Sequence, residues 1–315
     1  MNSTLTVRVQ SMRFEAEGIV SLELVSPEGA ELPPFEAGAH IDLHLPNGIQ
    51  RSYSLLNSPE ERGRYVVGIL KDRNSRGGSR YVHDQLRVGM TLAISAPRNN
   101  FALDEGVGQS VLIAGGIGIT PIYCMLNRLQ KLGKPARLLY CARSRSEAAF
   151  VEELLARDNV QAHFDQEQGG PPDLRGFLAS QPKDAHFYCC GPTPMLNAFE
   201  ALCEELGLKN MHLERFAAAE NVEAVQGSEY TAQLARSNKV ITVPAGKSLL
   251  DALLEAGIDV DHSCREGVCG ACETRVLDGQ PEHRDGVLSK TERESNKMMM
   301  VCVSGCKGRS LVLDL

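Results

Sequence analysis

Four cysteines, Cys264, Cys269, Cys272 and Cys302, constrain this chain more than any other feature. The first three are separated by four and two residues, and the fourth follows twenty-nine residues later. That is the plant-type spacing for a [2Fe–2S] cluster. A close trio can wrap one side of a cluster while a distant thiolate closes the other. Gly267 and Gly270 let the backbone between them fold tightly and turn N–H groups toward the sulfurs. A four-thiolate zinc site from Cys269, Cys272, Cys302 and Cys306 is the rival reading. It leaves Cys264 idle and does not account for the x4 spacing. A Rieske centre needs two histidine ligands, and neither His262 nor His283 has an evident paired partner. Cys306 is then surplus to a four-ligand count. Five of the ten cysteines fall in the last fifty-two residues, and such clustering points to metal rather than disulfides.

At 315 residues the chain is long for one core, and three segments differ in pattern. Residues 1–104 carry six short period-two runs divided by Gly, Pro and Asn, which predicts a six-stranded antiparallel β-barrel. Residues 105–226 alternate short apolar strands with helical spacing over Pro121–Leu132, Glu147–Arg157 and Pro192–Leu206. This predicts a doubly wound α/β parallel sheet with ligands at the carboxyl ends of its strands. Ala217–Ser228 reads as a linker, and residues 227–315 as a β-grasp α+β ferredoxin domain with a hairpin at Ser237-Asn238 and a helix over Ser248–Ala256. A net charge of −7 argues against a nucleic-acid partner. Met1–Phe14 has no apolar core of signal-peptide length. Gly106–Asn127 is free of charge but is interrupted by five glycines and Pro121, so a strand, turn and helix explain it better than a membrane span. A cytoplasmic protein is the expectation.

Two further signals lie outside the cysteines. Arg51-Ser52-Tyr53-Ser54-Leu55 sits on a predicted barrel strand. There an arginine can hold a phosphate, a tyrosine can lie against a flavin, and Ser54 can hydrogen-bond near the reactive ring nitrogen. Arg76-Gly77-Gly78-Ser79 opens a helix expected over Ser79–Leu86, and such a turn presents N–H groups to a phosphate. Downstream, Gly115-Gly116-Ile117-Gly118-Ile119-Thr120-Pro121 directly follows the strand Val111–Ala114. Its glycines admit a pyrophosphate to the backbone, and Pro121 suits a first helical turn. Cys190-Gly191-Pro192 ends a second strand at the same edge, where a nicotinamide ring can lie. Asp165 also follows a strand, where an acidic residue disfavours the extra phosphate of NADPH, although Arg143 and Arg145 can hold one.

With these motifs in this order, the chain resembles the phthalate dioxygenase reductase family, which includes vanillate O-demethylase reductases. The likeness runs the whole length and extends to His212-Leu-Glu-Arg-Phe216 and the ending Leu311-Val-Leu-Asp-Leu315. The resemblance implies FMN rather than FAD, with Phe216 stacked on the isoalloxazine and Tyr140 and Arg143 beside the adenosine end of NADH. It implies an NADH-dependent oxidoreductase that splits hydride into single electrons, passing from NADH to FMN to [2Fe–2S]. The acceptor it implies is a Rieske-type oxygenase acting on an aromatic acid or small organic substrate. A monomer that meets its partner transiently is expected. A reductase for another one-electron acceptor such as a cytochrome, or a non-catalytic flavoprotein sensor, are the alternatives.

Overall fold

The computed structural model describes residues 4–216 and 228–315, so the expected linker falls almost entirely outside the described residues. Contacts divide the chain into two units, Asn2–Glu214 and Arg215–Leu315.

The first unit opens with strands β1 (Leu5–Ala16), β2 (Ile19–Val25), β3 (His40–His44), β4 (Gln50–Ser54), β5 (Arg64–Leu70) and β6 (Thr91–Ile94), with helix α1 (Gly78–Asp84) between the last two. They form one antiparallel sheet in the order β4-β3-β6-β1-β2-β5. A bridge between Leu55 and Val67 joins its two edges into a barrel. Alternating Val7, Val9, Leu22, Leu24, Ile41, Leu43, Tyr65, Val67 and Ile69 fill the interior at 2% exposure or less.

Strands β7 (Ser110–Gly115), β8 (Ala136–Ala142), β9 (Val160–Phe164), β10 (His186–Cys190) and β11 (Met211–Glu214) follow. They make a parallel sheet ordered β11-β10-β7-β8-β9. Helices α2 (Ile119–Lys131), α3 (Val151–Leu155), α4 (Asp165–Gln168), α5 (Leu174–Ala179) and α6 (Thr193–Leu206) connect them. Because the chain runs from β7 to β8 on one side and returns to β10 on the other, the strand order reverses beside β7. A crevice outside the carboxyl ends at such a point is the expected ligand site.

Two elements depart from the sequence reading. The helix expected over Glu147–Arg157 shrinks to Val151–Leu155, preceded by a 3-10 turn at Arg145–Glu147. Phe150 takes φ 60° there and stacks on Tyr123 at 4.7 Å, so tertiary packing overrides helical spacing. The fifth strand, β11, carries half-buried residues and no long apolar run, which hid it from a hydrophobicity reading.

The second unit contains β12 (Tyr230–Leu234), β13 (Lys239–Val243), α7 (Leu249–Glu255), β14 (Glu273–Asp278), β15 (Pro281–Glu282), α8 (Lys290–Ser295), β16 (Met298–Met300), β17 (Gly305–Cys306) and β18 (Ser310–Leu313). The main sheet runs β13-β12-β18-β14-β16, with β12 and β18 parallel. Ser248 caps α7 by accepting the Asp251 N–H at 3.0 Å. Leu249, Leu250 and Leu253 of that helix join Ala232, Leu234, Leu311 and Leu313 in one core.

Candidate flavin, nicotinamide and iron–sulfur sites

Strand β4 is fixed from beneath. Ser52 donates to Asp42 at 2.6 Å, and Arg98 donates to the same buried carboxylate at 2.6 Å. Burial alone would raise the Asp42 carboxyl, but Arg98 and the Ser52 hydroxyl hold it below its ordinary value. The next residue back, Arg51, lies across the Arg76–Ser79 turn. A Cβ at Gly78 would stand 2.8 Å from Arg51 Cγ, so only glycine admits the guanidinium there. Gly77 has φ 103°, the left-handed conformation that glycine adopts freely.

At this turn the N–H groups of Gly77 and Arg80 and the Ser79 hydroxyl all donate to one oxygen, Ser75 Oγ, at 3.0–3.3 Å. Several donors converging on one small oxygen beside an arginine is the chemistry of a phosphate cradle, and the residues fit the phosphate of FMN. Tyr53 is half-buried, and burial pushes its phenol up to about 12.

The two glycine turns of the α/β sheet meet at its reversal point. A Cβ on Gly118 would come within 2.2 Å of the Cys190 carbonyl oxygen, and one on Gly115 within 2.6 Å of Pro192 Cδ. Gly191 lies against the Gly115 backbone, at 3.1 Å from its added Cβ. Gly116 takes φ 53° with nothing near it, which leaves its backbone open to an approaching group. Thr120 is buried, donates its hydroxyl to Ile117 O at 3.0 Å and packs on Gly68 of the barrel, while Pro121 lies buried in the first turn of α2.

Sheet register sets Cys190 opposite Ala114 on one side and Glu214 on the other. Cys190 is fully buried, and burial raises its thiol well above the ordinary value, with Glu214 adding to the effect. Burial therefore favours the neutral thiol over a nucleophilic thiolate. Ser54 Oγ and Glu214 Oε2 are both buried without a hydrogen-bond partner. Burial pushes the Glu214 carboxyl up to about 8, with the Ser54 hydroxyl beside it acting in the opposite direction. Two orphaned polar atoms beside a strand-end cysteine mark a place where a ligand's polar edge would satisfy them. Glu214 was inside a quoted motif yet had no assigned role. Its register with Cys190 across the sheet is the signal that finds it.

The adenosine side differs from expectation at one residue. Tyr140 is fully buried in the core, with burial raising its phenol, so it supports the edge and offers no surface to a ligand. Arg143 accepts the Gln166 N–H on its carbonyl at 3.0 Å, which ties the ends of β8 and β9 together. Asp165 begins α4 with its carboxylate 3.4 Å from His163 Nε2. In the second unit, Phe216 presents a ring that is 40% exposed.

The four cysteines of the x4-x2-x29 spacing are all buried, at 3–9% exposure. They stand as two hydrogen-bonded pairs, Cys264 with Cys269 and Cys272 with Cys302. Glu266 N–H donates to Cys264 Sγ at 3.3 Å and Cys264 N–H to Cys269 Sγ at 3.5 Å. The partner thiol first, and backbone N–H groups of residues 267–269 after it, pull Cys264 below the ordinary thiol range, toward the thiolate that binds iron. Gly267 has φ 69°, and a Cβ there would meet Val303 at 2.6 Å. Among the described residues, no three His, Cys, Asp or Glu side chains converge on one ion position. The two thiol pairs suit a [2Fe–2S] cluster, which Cys264, Cys269, Cys272 and Cys302 would hold. Cys306 stands apart on β17, its sulfur accepting the Gly308 N–H at 3.3 Å.

Comparison with known proteins places two segments of the chain in known domain families. The 2Fe-2S iron-sulfur cluster binding domain family matches residues 232–307, and the oxidoreductase NAD-binding domain family matches residues 112–201. The chain is 49% identical to the phenoxybenzoate dioxygenase subunit beta of Ectopseudomonas oleovorans, over 99% of this chain and 97% of that one. It is similar to the solved structure of phthalate dioxygenase reductase with a TM-score of 0.73 and 37% identity, covering 99% and 98%. The chain belongs to the phthalate dioxygenase reductase family. A TM-score of 0.90 at 36% identity also relates it to an intact type IV self-sufficient cytochrome P450 monooxygenase, where it spans 41% of that longer chain.

As a member of the phthalate dioxygenase reductase family, the protein is an oxidoreductase with FMN, NADH and a [2Fe–2S] cluster as its redox groups. The family resemblance, the antiparallel and parallel sheets and the ferredoxin domain inferred from the sequence are all borne out. Among the described residues no helix is long and apolar enough to cross a membrane.

Proposed function

We propose that this chain is the cytoplasmic, monomeric reductase of a two-component system, and that it meets a Rieske-type oxygenase transiently to feed it electrons from NADH. The oxygenase would act on an aromatic acid or small organic substrate. We assign FMN binding to residues 1–104, NADH binding to residues 105–226 and the cluster to residues 227–315. FMN, when bound, takes the two electrons of a hydride and releases them singly, as a one-electron cluster requires. Arg51 and the Arg76–Ser79 turn hold its phosphate, and Tyr53 lines its ring. Ser54 and Cys190 orient the reacting edge, with Glu214 holding a proton at Oε2 beside them. Gly115–Pro121 and Cys190–Pro192 receive NADH, with Arg143 and Asp165 at its adenosine end. Phe216 covers the flavin, and Cys264, Cys269, Cys272 and Cys302 hold the iron.

The observation that carries this reading is the convergence of Ser54, Cys190 and Glu214 where two glycine turns meet. A cytochrome acceptor is the second reading, favoured by the similarity to the self-sufficient P450 chain. Ending the chain at Ala219 tests the division of labour. The shortened protein should stay yellow, retain FMN and reduce ferricyanide with NADH. It should lose most reduction of cytochrome c and all support of an oxygenase. A folded protein that neither binds FMN nor oxidises NADH would refute the assignment.

A further inference from the structure

Two arginines, Arg143 and Arg145, stand near the end of β8, where either can accept the 2′-phosphate that distinguishes NADPH from NADH. The structure treats them differently. Arg145 NH1 lies 3.7 Å from Glu152 and its Nε lies 3.6 Å from Glu167, while its guanidinium carbon sits 4.9 Å above the Phe164 ring. Two carboxylates and an aromatic face thus hold one cation. We infer that Glu152 and Glu167 are specificity-determining residues for the coenzyme, acting through Arg145 by neutralising it and holding it away from the ribose.

This role presupposes NADH binding at this edge, and the residues involved come from three elements. Glu152 belongs to α3, Glu167 to α4, and Arg145 to the turn after β8. The turn is itself anchored, since Glu17 N–H donates to Ser146 O at 2.8 Å and Ser146 Oγ donates to Glu17 at 3.1 Å. Arg73 and Glu147 pair at 3.5 Å alongside, so that acid is already engaged. α4 also carries Asp165, tied by Gln166 N–H to the Arg143 carbonyl. Asp165, Glu152 and Glu167 against Arg143 and Arg145 leave one net negative charge at the place where a 2′-phosphate would add two more. A ribose hydroxyl meets no such opposition. Arg145 is half-exposed, so its long side chain can reach out once both carboxylates are gone.

Removing those two charges without changing shape tests the inference. Steady-state kcat/KM is measured with NADH and with NADPH for the wild type and for Glu152→Gln/Glu167→Gln. In parallel, calorimetry compares binding of 2′,5′-ADP with 5′-ADP, a readout independent of electron transfer. The NADH:NADPH ratio should fall about tenfold in the double variant, with 2′,5′-ADP binding tightened by a similar factor. Adding Arg145→Ala to that background should reverse both changes, because Arg145 is the cation that the two substitutions release. An unchanged ratio, or a gain that survives Arg145→Ala, would overturn the role given to Glu152 and Glu167. A wild type that oxidises neither nucleotide would instead overturn the NADH reading itself.

Discussion

In the cluster loop, four side-chain sulfurs carry the chemistry, and the backbone between them is bent to suit by Gly267 and Gly270, both at positive φ. At the hydride edge the order is reversed. The backbone of Gly115–Gly118 and Cys190–Gly191 is brought into close approach by its glycines, and the side chains there are few and uncharged. The ligands of the first site lie mostly within nine consecutive residues, whereas the parts of the second come from positions 54 to 214. One site should therefore fail by losing an atom, and the other by gaining one.

The largest effect should come from losing a ligand. Cys302→Ser should abolish the iron–sulfur absorbance and the bound iron, because Cys302 pairs with Cys272 and nothing else completes that half. Cys306→Ser should leave both nearly intact, since its sulfur is engaged with Gly308 on a separate strand. Iron and acid-labile sulfide analysis of both variants decides between them. Intact iron in Cys302→Ser with loss in Cys306→Ser would reassign the fourth ligand.

Next comes the gain of an atom. Gly118→Ala sets a Cβ 2.2 Å from the Cys190 carbonyl, a main-chain atom that cannot rotate aside. The resulting shift should cost about 1–3 kcal/mol of stability. NADH oxidation should fall by about 100-fold, as expected for a reacting group displaced by an ångström. The iron content should not change. Gly108→Ala, where an added Cβ meets nothing within 4 Å, is the control. Equal activity in the two variants would show that the close approach of the glycine turns does not matter.

The same contrast explains what could be read in advance. Cysteine spacing is local in sequence, so Cys264–Cys272 and the distant Cys302 were legible from order alone. The strands of the barrel and sheet other than β11 were legible too, because their alternation and apolar runs are also local. Glu214 was not, because its meaning depends on β11 pairing with β10 in a register that sets it opposite Cys190. Tyr140 lies away from the adenosine surface expected for it, because strand position alone does not reveal which residues the core encloses. Phe150, at positive φ against Tyr123, broke a helix that residue spacing alone supports.

The smallest expected effect concerns the one feature of the hydride edge that titrates near neutrality. Burial raises Glu214 to about 8 from the 4.5 expected in an unfolded chain. The folded protein therefore keeps a proton that the unfolded chain releases above about pH 4.5. Its contribution to stability is fully present below that point and is lost as pH rises through about 8. Glutamine keeps the shape and stays neutral, so Glu214→Gln lacks this pH dependence. Melting temperatures of both proteins, followed from about pH 5 to 9, should diverge steadily in the variant's favour and then run parallel. The divergence should be no more than a few degrees, because Glu214 as a residue is only half-buried although its Oε2 is enclosed, and solvent screens part of the charge. No comparable trend is expected from the cluster cysteines, whose thiolates are held by iron across this range. Parallel curves throughout would mean that burial does not raise the Glu214 carboxyl, and that the hydride edge holds a charge instead of a neutral acid.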